Sequence, residues 1–270
     1  MSTPPPGRAA ATGPASTSRA VTGDLPTVLR GLLTEPGRPR LTWYGPDGER
    51  VELSGHVLDN WVTKTTNLLV EELDLGPGRS VLLDLPAHWR TVVWALAVWR
   101  TGACVLLGPA GRHRPDVVVT ADPQSPRDPG AEVVVVALPA LARGVGADLP
   151  AGAIDAAAAV MTYGDRLGAV PPTDPARAAL RVDDGDPVRH GDLLAWAAAA
   201  WGTEPGAAPA PGARVLVEPA DEAAGPVLRA VLAVYARGGS VVLCAPSLST
   251  ELAGDPTRRE RLASAERVTG

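Results

Sequence analysis

A chain of 270 residues with 45% apolar side chains can bury a full core, as one large α/β domain or as two lobes. Its formal charge of -5 and the lack of any basic block argue against a nucleic-acid partner, and no run of about 18 apolar residues is present to span a membrane. Only one lysine exists, Lys64, so any chemistry that needs a lysine must use that position.

In chain order, residues 1–23 are rich in Pro, Ser, Thr, Ala and Gly and contain no apolar signal core, which predicts a disordered tail and no export. A helix-like segment around residues 53–75 carries Lys64. Val81-Leu82-Leu83 is a short apolar run of the kind found in a strand covered on both faces, and Pro86 ends it. Trp89, Val92, Val93 and Leu96 then recur at helical spacing, Gly102 stops the helix, and CVLLG at 104–108 returns as a strand. Further strands are expected at 116–120 and 132–138, followed by a long Ala/Pro/Gly-rich connection over 139–176. After RVDDGDPV at 181–188, a helix-like run begins near Asp192. Val227, Leu228, Val231, Leu232 and Tyr235 mark another helix face, which Gly238-Gly239 ends. Asp255-Pro256 provides a cap and first residue for a final helix.

Two stretches match one another. Residues 76–109 and 210–246 share Pro-Gly (77–78 and 211–212), VLLD against VLVE, and AVWRTG against AVYARG. Each reads as strand, helix, strand, and a crossover of this length makes the two strands parallel neighbours. The expectation is an α/β fold of two similar lobes, 24–165 and 166–270, with mostly parallel strands and crossover helices.

The stretch from LSGHVLDNWV through GPGRSVLLDLPAHWR to AVWRTGACVLLG, with RVLVEPADEAAGPVLRAVLAVYARGGSVVLCAP after it, resembles the N-terminal region of the acyl-adenylate-forming enzymes. These are the AMP-binding superfamily of acyl-CoA synthetases, luciferases and peptide-synthetase adenylation domains. The resemblance covers most of residues 40–246 and lies in scaffold motifs. It implies the N-terminal subdomains of that fold, and a kinship with short proteins of high-GC bacteria. In the family, a Ser/Thr- and Gly-rich loop closing on Pro-Lys-Gly precedes a motif ending in His-Gly-Asn-Leu-Leu. Here His190-Gly191-Asp192-Leu193-Leu194 fits the trailing motif, but RVDDGDPV stands where the loop should be. A phosphate cradle needs N–H groups, hydroxyls and an ammonium, whereas Asp183, Asp184 and Asp186 would repel the anion. The chain stops at Gly270, before the family's adenine and ribose segments and its C-terminal domain, and Lys64 falls at a structural position of the first helix.

Other chemistry finds little support. His56, His88, His113 and His190 lack metal-ligand spacing with one another or with Cys104 and Cys244, which read as buried free thiols of a cytoplasmic protein. His88 stands at a strand exit, where α/β proteins place ligands, and also just before a helix. Arg112-His113-Arg114 could meet a phosphate or form a solvated loop. No Gly-x-Ser-x-Gly elbow or dinucleotide fingerprint occurs. No catalytic, cofactor or metal residue is assigned. The helix at 89–100, with Trp89, Trp94 and Trp99, is apolar on almost every face, so it is either buried throughout or meets a partner. The expectation carried forward is association, as a homodimer or with another protein, with Trp94 or Val98 near the contact. The function expected is that of a non-catalytic protein that binds a partner or small molecule. The alternative is an AMP-binding, ligase-like fragment active with a second chain.

Overall fold

The computed structural model describes residues 23–108, 113–125, 130–183, 185–202 and 206–270. The expected tail therefore lies almost wholly outside the described residues, as do Asp184 and Arg112.

The helices are α1 (Leu25–Leu32), α2 (Gly55–Glu71), α3 (Trp89–Arg100), α4 (Ala156–Val160), α5 (Leu193–Ala198), α6 (Ala224–Tyr235), α7 (Pro246–Gly254) and α8 (Pro256–Ala265). The strands are β1 (Pro39–Tyr44), β2 (Arg50–Ser54), β3 (Ser80–Asp84), β4 (Cys104–Leu107), β5 (Val117–Thr120), β6 (Glu132–Val135), β7 (Ile154–Asp155), β8 (Ala178–Val182), β9 (Val188–Arg189), β10 (Arg214–Val217) and β11 (Ser240–Cys244). They form a seven-stranded sheet, β7-β6-β5-β3-β4-β8-β9, and a four-stranded sheet, β10-β11-β1-β2. Every pairing is parallel except the edge pairs β8–β9 and β1–β2. This is the expected α/β class, with β4, β5 and β11 buried along their whole length as apolar parallel strands should be.

Both matched stretches form a strand, a 12-residue helix and a parallel neighbouring strand. Val81 pairs with Val105 in one, and Val215 with Val241 in the other. The sheets, however, cross the expected boundary between residues 165 and 166 in both directions. β1 adds parallel to β11, although it lies near the start of the chain, and β8 adds parallel to β4. Parallel strands need a partner of matching direction, and an unpaired β4 or β11 edge would leave a row of buried N–H and C=O groups unsatisfied.

α3 runs between the two sheets, against β3 and β4 on one side, β1 on the other, and α2 and α6 beside it. The expected association surface is therefore corrected. Trp94 is 3% exposed and Val98 0%, and every residue from Trp89 to Trp99 is buried. A crossover helix with a sheet on each side has no face left for a partner. Two of its polar groups are served internally: Trp99 Nε1 donates to the Ala179 carbonyl at 2.8 Å, and the Arg90 guanidinium stacks 4.4 Å from the Trp89 ring centre, whereas Trp89 Nε1 is buried without a hydrogen-bond partner.

The connection over 139–176 is laid onto α2 by side chains. Lys64 pairs with Asp165 at 2.8 Å and donates to the Tyr163 carbonyl at 2.5 Å. Asn67 donates to the carbonyls of Gly164 and Arg166 and accepts from Gly168 N–H. At the other end of the chain, Asp255 caps α8 by accepting from Arg258 N–H at 2.9 Å. No described helix is long and apolar enough to cross a membrane.

Candidate functional site

In open α/β sheets, ligands gather beyond the carboxyl ends of the strands. Here the two sheets bring such ends together. β1 exits into the turn at Gly45–Glu49, β3 into Leu85-Pro86-Ala87-His88, β6 towards Leu138-Pro139, and β11 into Ala245-Pro246-Ser247. These segments surround a cleft of about 640 Å3, mostly apolar, walled by Trp43, Pro86, Leu138 and Pro246. A second cleft, of about 720 Å3, lies beyond the ends of β3, β4 and β8 and is bordered by Asp84, Gly108, Asp183 and the start of α6. Glu222 lines both, and its carbonyl accepts from Ala87 N–H at 3.0 Å, tying the second sheet's loop to the exit of β3.

His88 is the most enclosed polar group of this groove. It is 5% exposed, and its Nδ1 accepts the N–H of Arg90, so the ring caps α3 and carries its proton on Nε2. The ring sits edge-on to Trp43, with centres 4.5 Å apart. Burial first, and the Arg90 charge second, push its pKa down to about 3. At neutral pH it is an uncharged hydrogen-bonding ring and a poor proton shuttle, because a general base works best with a pKa near the operating pH.

Two carboxylates of the groove, Asp84 and Glu49, are held by local donors. Asp84 accepts from the hydroxyls of Thr120 (2.8 Å) and Ser125 (3.0 Å). Glu49 accepts from Trp43 Nε1 at 2.8 Å and from Ala140 N–H at 2.7 Å, joining the β1 turn to the segment after β6. Asp183 has φ of 49° and lies against Gly108, where any Cβ would collide with its Oδ1. Gly108 itself has φ of 92°, so glycine is required there on two counts.

Between β8 and β9 the residues form a tight reversal. Asp183 N–H donates to the Leu107 carbonyl at 2.9 Å, and Gly185 N–H to the Val182 carbonyl at 3.1 Å. These N–H groups are spent within the fold and do not converge on an open site. Asp183 and Asp186 are both exposed. His190 begins a 3-10 turn ahead of α5, as a helix-start residue.

The remaining sequence candidates are dispersed. Lys64 lines neither cleft and is held by the 139–176 connection. Cys104 and Cys244 are buried free thiols, and burial raises their pKa to about 11 and about 12. His56 lies next to Asn60 on α2, and His113 lies at the other end of the seven-stranded sheet. Among the described residues no cluster of three or more His, Cys, Asp or Glu could hold a metal. Sequence reasoning missed Trp43, Glu49 and Glu222. Their signal was positional: each lies at or just past a strand exit, and β1 was not foreseen as a strand.

No protein-family model matches the chain. A Mycobacterium tuberculosis protein, named only by a numbered family designation, is 38% identical over 157 residues, which is 53% of this chain and 63% of that protein. Solved structures with the same fold include an acyl-CoA synthetase of Brucella canis (TM-score 0.61, 20% identity) and an acetoacetyl-CoA synthetase of Streptomyces lividans (0.64, 18%). Each matches 82% of this chain, which spans 43% and 38% of those chains. The N-terminal domain of FACL13 from Mycobacterium tuberculosis matches 83% of the chain, which spans 57% of it (0.60, 15%). The fold is that of the N-terminal subdomains of adenylate-forming enzymes.

Proposed function

We propose that this chain is a non-catalytic binding protein on the adenylate-forming scaffold, and that its groove takes a small molecule with an apolar body, a neutral or amine-bearing end, and no phosphate. The observation that carries the reading is the lining of the groove. Its wider walls are Trp43, Pro86, Leu138 and Pro246, while Asp84, Asp183 and Glu222 border the part where the resemblance would put triphosphate. An apolar cleft with a few placed polar groups is the ordinary form of a small-molecule site. Carboxylates there disfavour an anion and favour an amine. His88 adds a neutral donor.

The test uses the neutral dye Nile red. It should bind with a rise in fluorescence, and alkyl amines should displace it better than carboxylates of equal chain length. The competing reading, a ligase fragment working with a second chain, predicts Mg-ATP-dependent pyrophosphate exchange with a carboxylic acid, and amide protection by nucleotide at residues 222–226. Either result, or absence of dye binding, would overturn the proposal.

A further inference from the structure

At the amino-terminal end of the seven-stranded sheet, opposite the groove, lies a smaller cleft of about 340 Å3 with no carboxylate among the described residues that line it. We infer that it binds a small phosphate-bearing ligand, held by Arg79, Arg114, Arg177 and Arg181, with His113 and Ser80 beside them.

The topology makes the cluster. Ser80 pairs with Cys104, and Leu82 with Leu106, which also pairs with Arg181, so these five side chains share one face of the sheet. That face is turned away from α6, because Leu107, on the other pleat, meets the start of α6 at Gly225. Cys104 and Leu106 form an apolar floor, and Arg181 stands at its edge. Arg114 approaches from the segment leading into β5, where its carbonyl accepts from Ser80 Oγ. Arg177 reaches in from the segment before β8, and one guanidinium nitrogen lies 2.7 Å from where a Cβ of Gly78 would stand. Gly78, with φ of 93°, makes that approach possible.

A chain of net charge -5 has gathered four arginines here with little neutralisation. Among the described residues Arg114 and Arg181 form no ion pair, and Arg177 meets only Asp174, at 3.7 Å. Arg79 Nε is buried and lies 3.3 Å from Asp116 Oδ1, but it is not aligned to donate a hydrogen bond to it. Asp116 is otherwise committed to Ser80, from whose N–H it accepts at 2.7 Å. Converging guanidinium groups repel one another unless an anion joins them, and their planar donor forks match phosphate oxygens two at a time. The cleft is about half the volume of either groove cavity, which suits a phosphate with a small appendage. Ser80 and Asp84 are four steps, about 13 Å, apart on β3, and the cleft shares no lining residue with the groove.

The test is calorimetric titration at low ionic strength with inorganic pyrophosphate and, separately, with AMP. Saturable binding of either supports the assignment. Pyrophosphate alone identifies the free anion as the ligand, and AMP binding extends it to a nucleotide's phosphate. Arg114→Gln and Arg181→Gln should each weaken the affinity about tenfold, the worth of one charge-assisted hydrogen bond. Arg114 is exposed, so its replacement leaves the fold intact and melting temperature checks this. Hydrogen exchange should show ligand protection at residues 78–82 and 113–116 and none at 222–226. No saturable heat at millimolar ligand, unchanged affinity in both variants, or protection confined to 222–226 would overturn the inference. Of these outcomes only protection at 222–226 bears also on the groove, and the calorimetric results and the two variants leave Nile red binding there unaffected.

Discussion

His88→Asn isolates what burial does to one group at the centre of the groove. In the folded chain the imidazole pKa is about 3, against 6.5 for the ordinary side chain. Above pH 6.5 neither state binds this proton, and the histidine's full contribution to stability is present. Below 6.5 the unfolded chain takes up a proton that the folded chain refuses, so stability is lost as pH falls towards 3. The slope approaches ~1.4 kcal/mol per pH unit, so lowering the pH from 7.5 to 5 removes about 2 kcal/mol. Asparagine keeps an acceptor for Arg90 N–H and hence the cap of α3, but it does not titrate. It also loses the edge contact with Trp43, so the variant should be less stable at pH 7.5 by about 1 kcal/mol. Urea unfolding of both proteins at several pH values between 7.5 and 5 reads the difference. The wild-type curve should fall towards the variant's and close the gap by pH 5 or cross it. His190 is also held low by burial, but it is common to both proteins and cancels. Parallel curves would refute the buried neutral state of His88.

Three other outcomes are expected. Trp94→Ala should cost about 3–5 kcal/mol in urea unfolding, as a large side chain removed from a core does, with no change of mass in light scattering. A change of mass with stability retained would restore the association surface rejected above. Cys104 and Cys244 should resist a disulfide reagent at pH 8 in the native protein and react fully in urea, since burial keeps both thiols protonated; prompt native labelling would contradict their placement. Glu266→Gln should destabilise by about 1.5–3 kcal/mol, because the carboxylate is shared by Tyr44, Arg50 and Arg214. Burial opposes the charge of Glu266, but those hydrogen bonds outweigh it and hold the pKa below the ordinary value, so the wild-type advantage should shrink as acid protonates the carboxyl. An advantage that persists unchanged at low pH would count against the charged network.

Elements with strong local signals were legible in the sequence. The apolar runs at 81–83 and 104–107, the helix between them and the cap at Asp255-Pro256 each follow from a few adjacent residues. Their pairing did not. Nothing local to PRLTWY says that it will lie beside a strand 200 residues away, and the link is made by side chains such as Arg40, whose guanidinium donates to the Gly238 carbonyl at 2.7 Å. The same limit explains the error at α3. A helix apolar on every face is consistent with either a partner or a second sheet, and only the non-local placement of β1 supplies the sheet. The stretch between β8 and β9 is the opposite case, since its run of acids, RVDDGDPV, was readable in the sequence where it stood. The structure adds that the backbone N–H groups of Asp183 and Gly185 are used up in local hydrogen bonds. A lysine placed in this turn would therefore find neither of these two N–H groups free to join it in holding an anion.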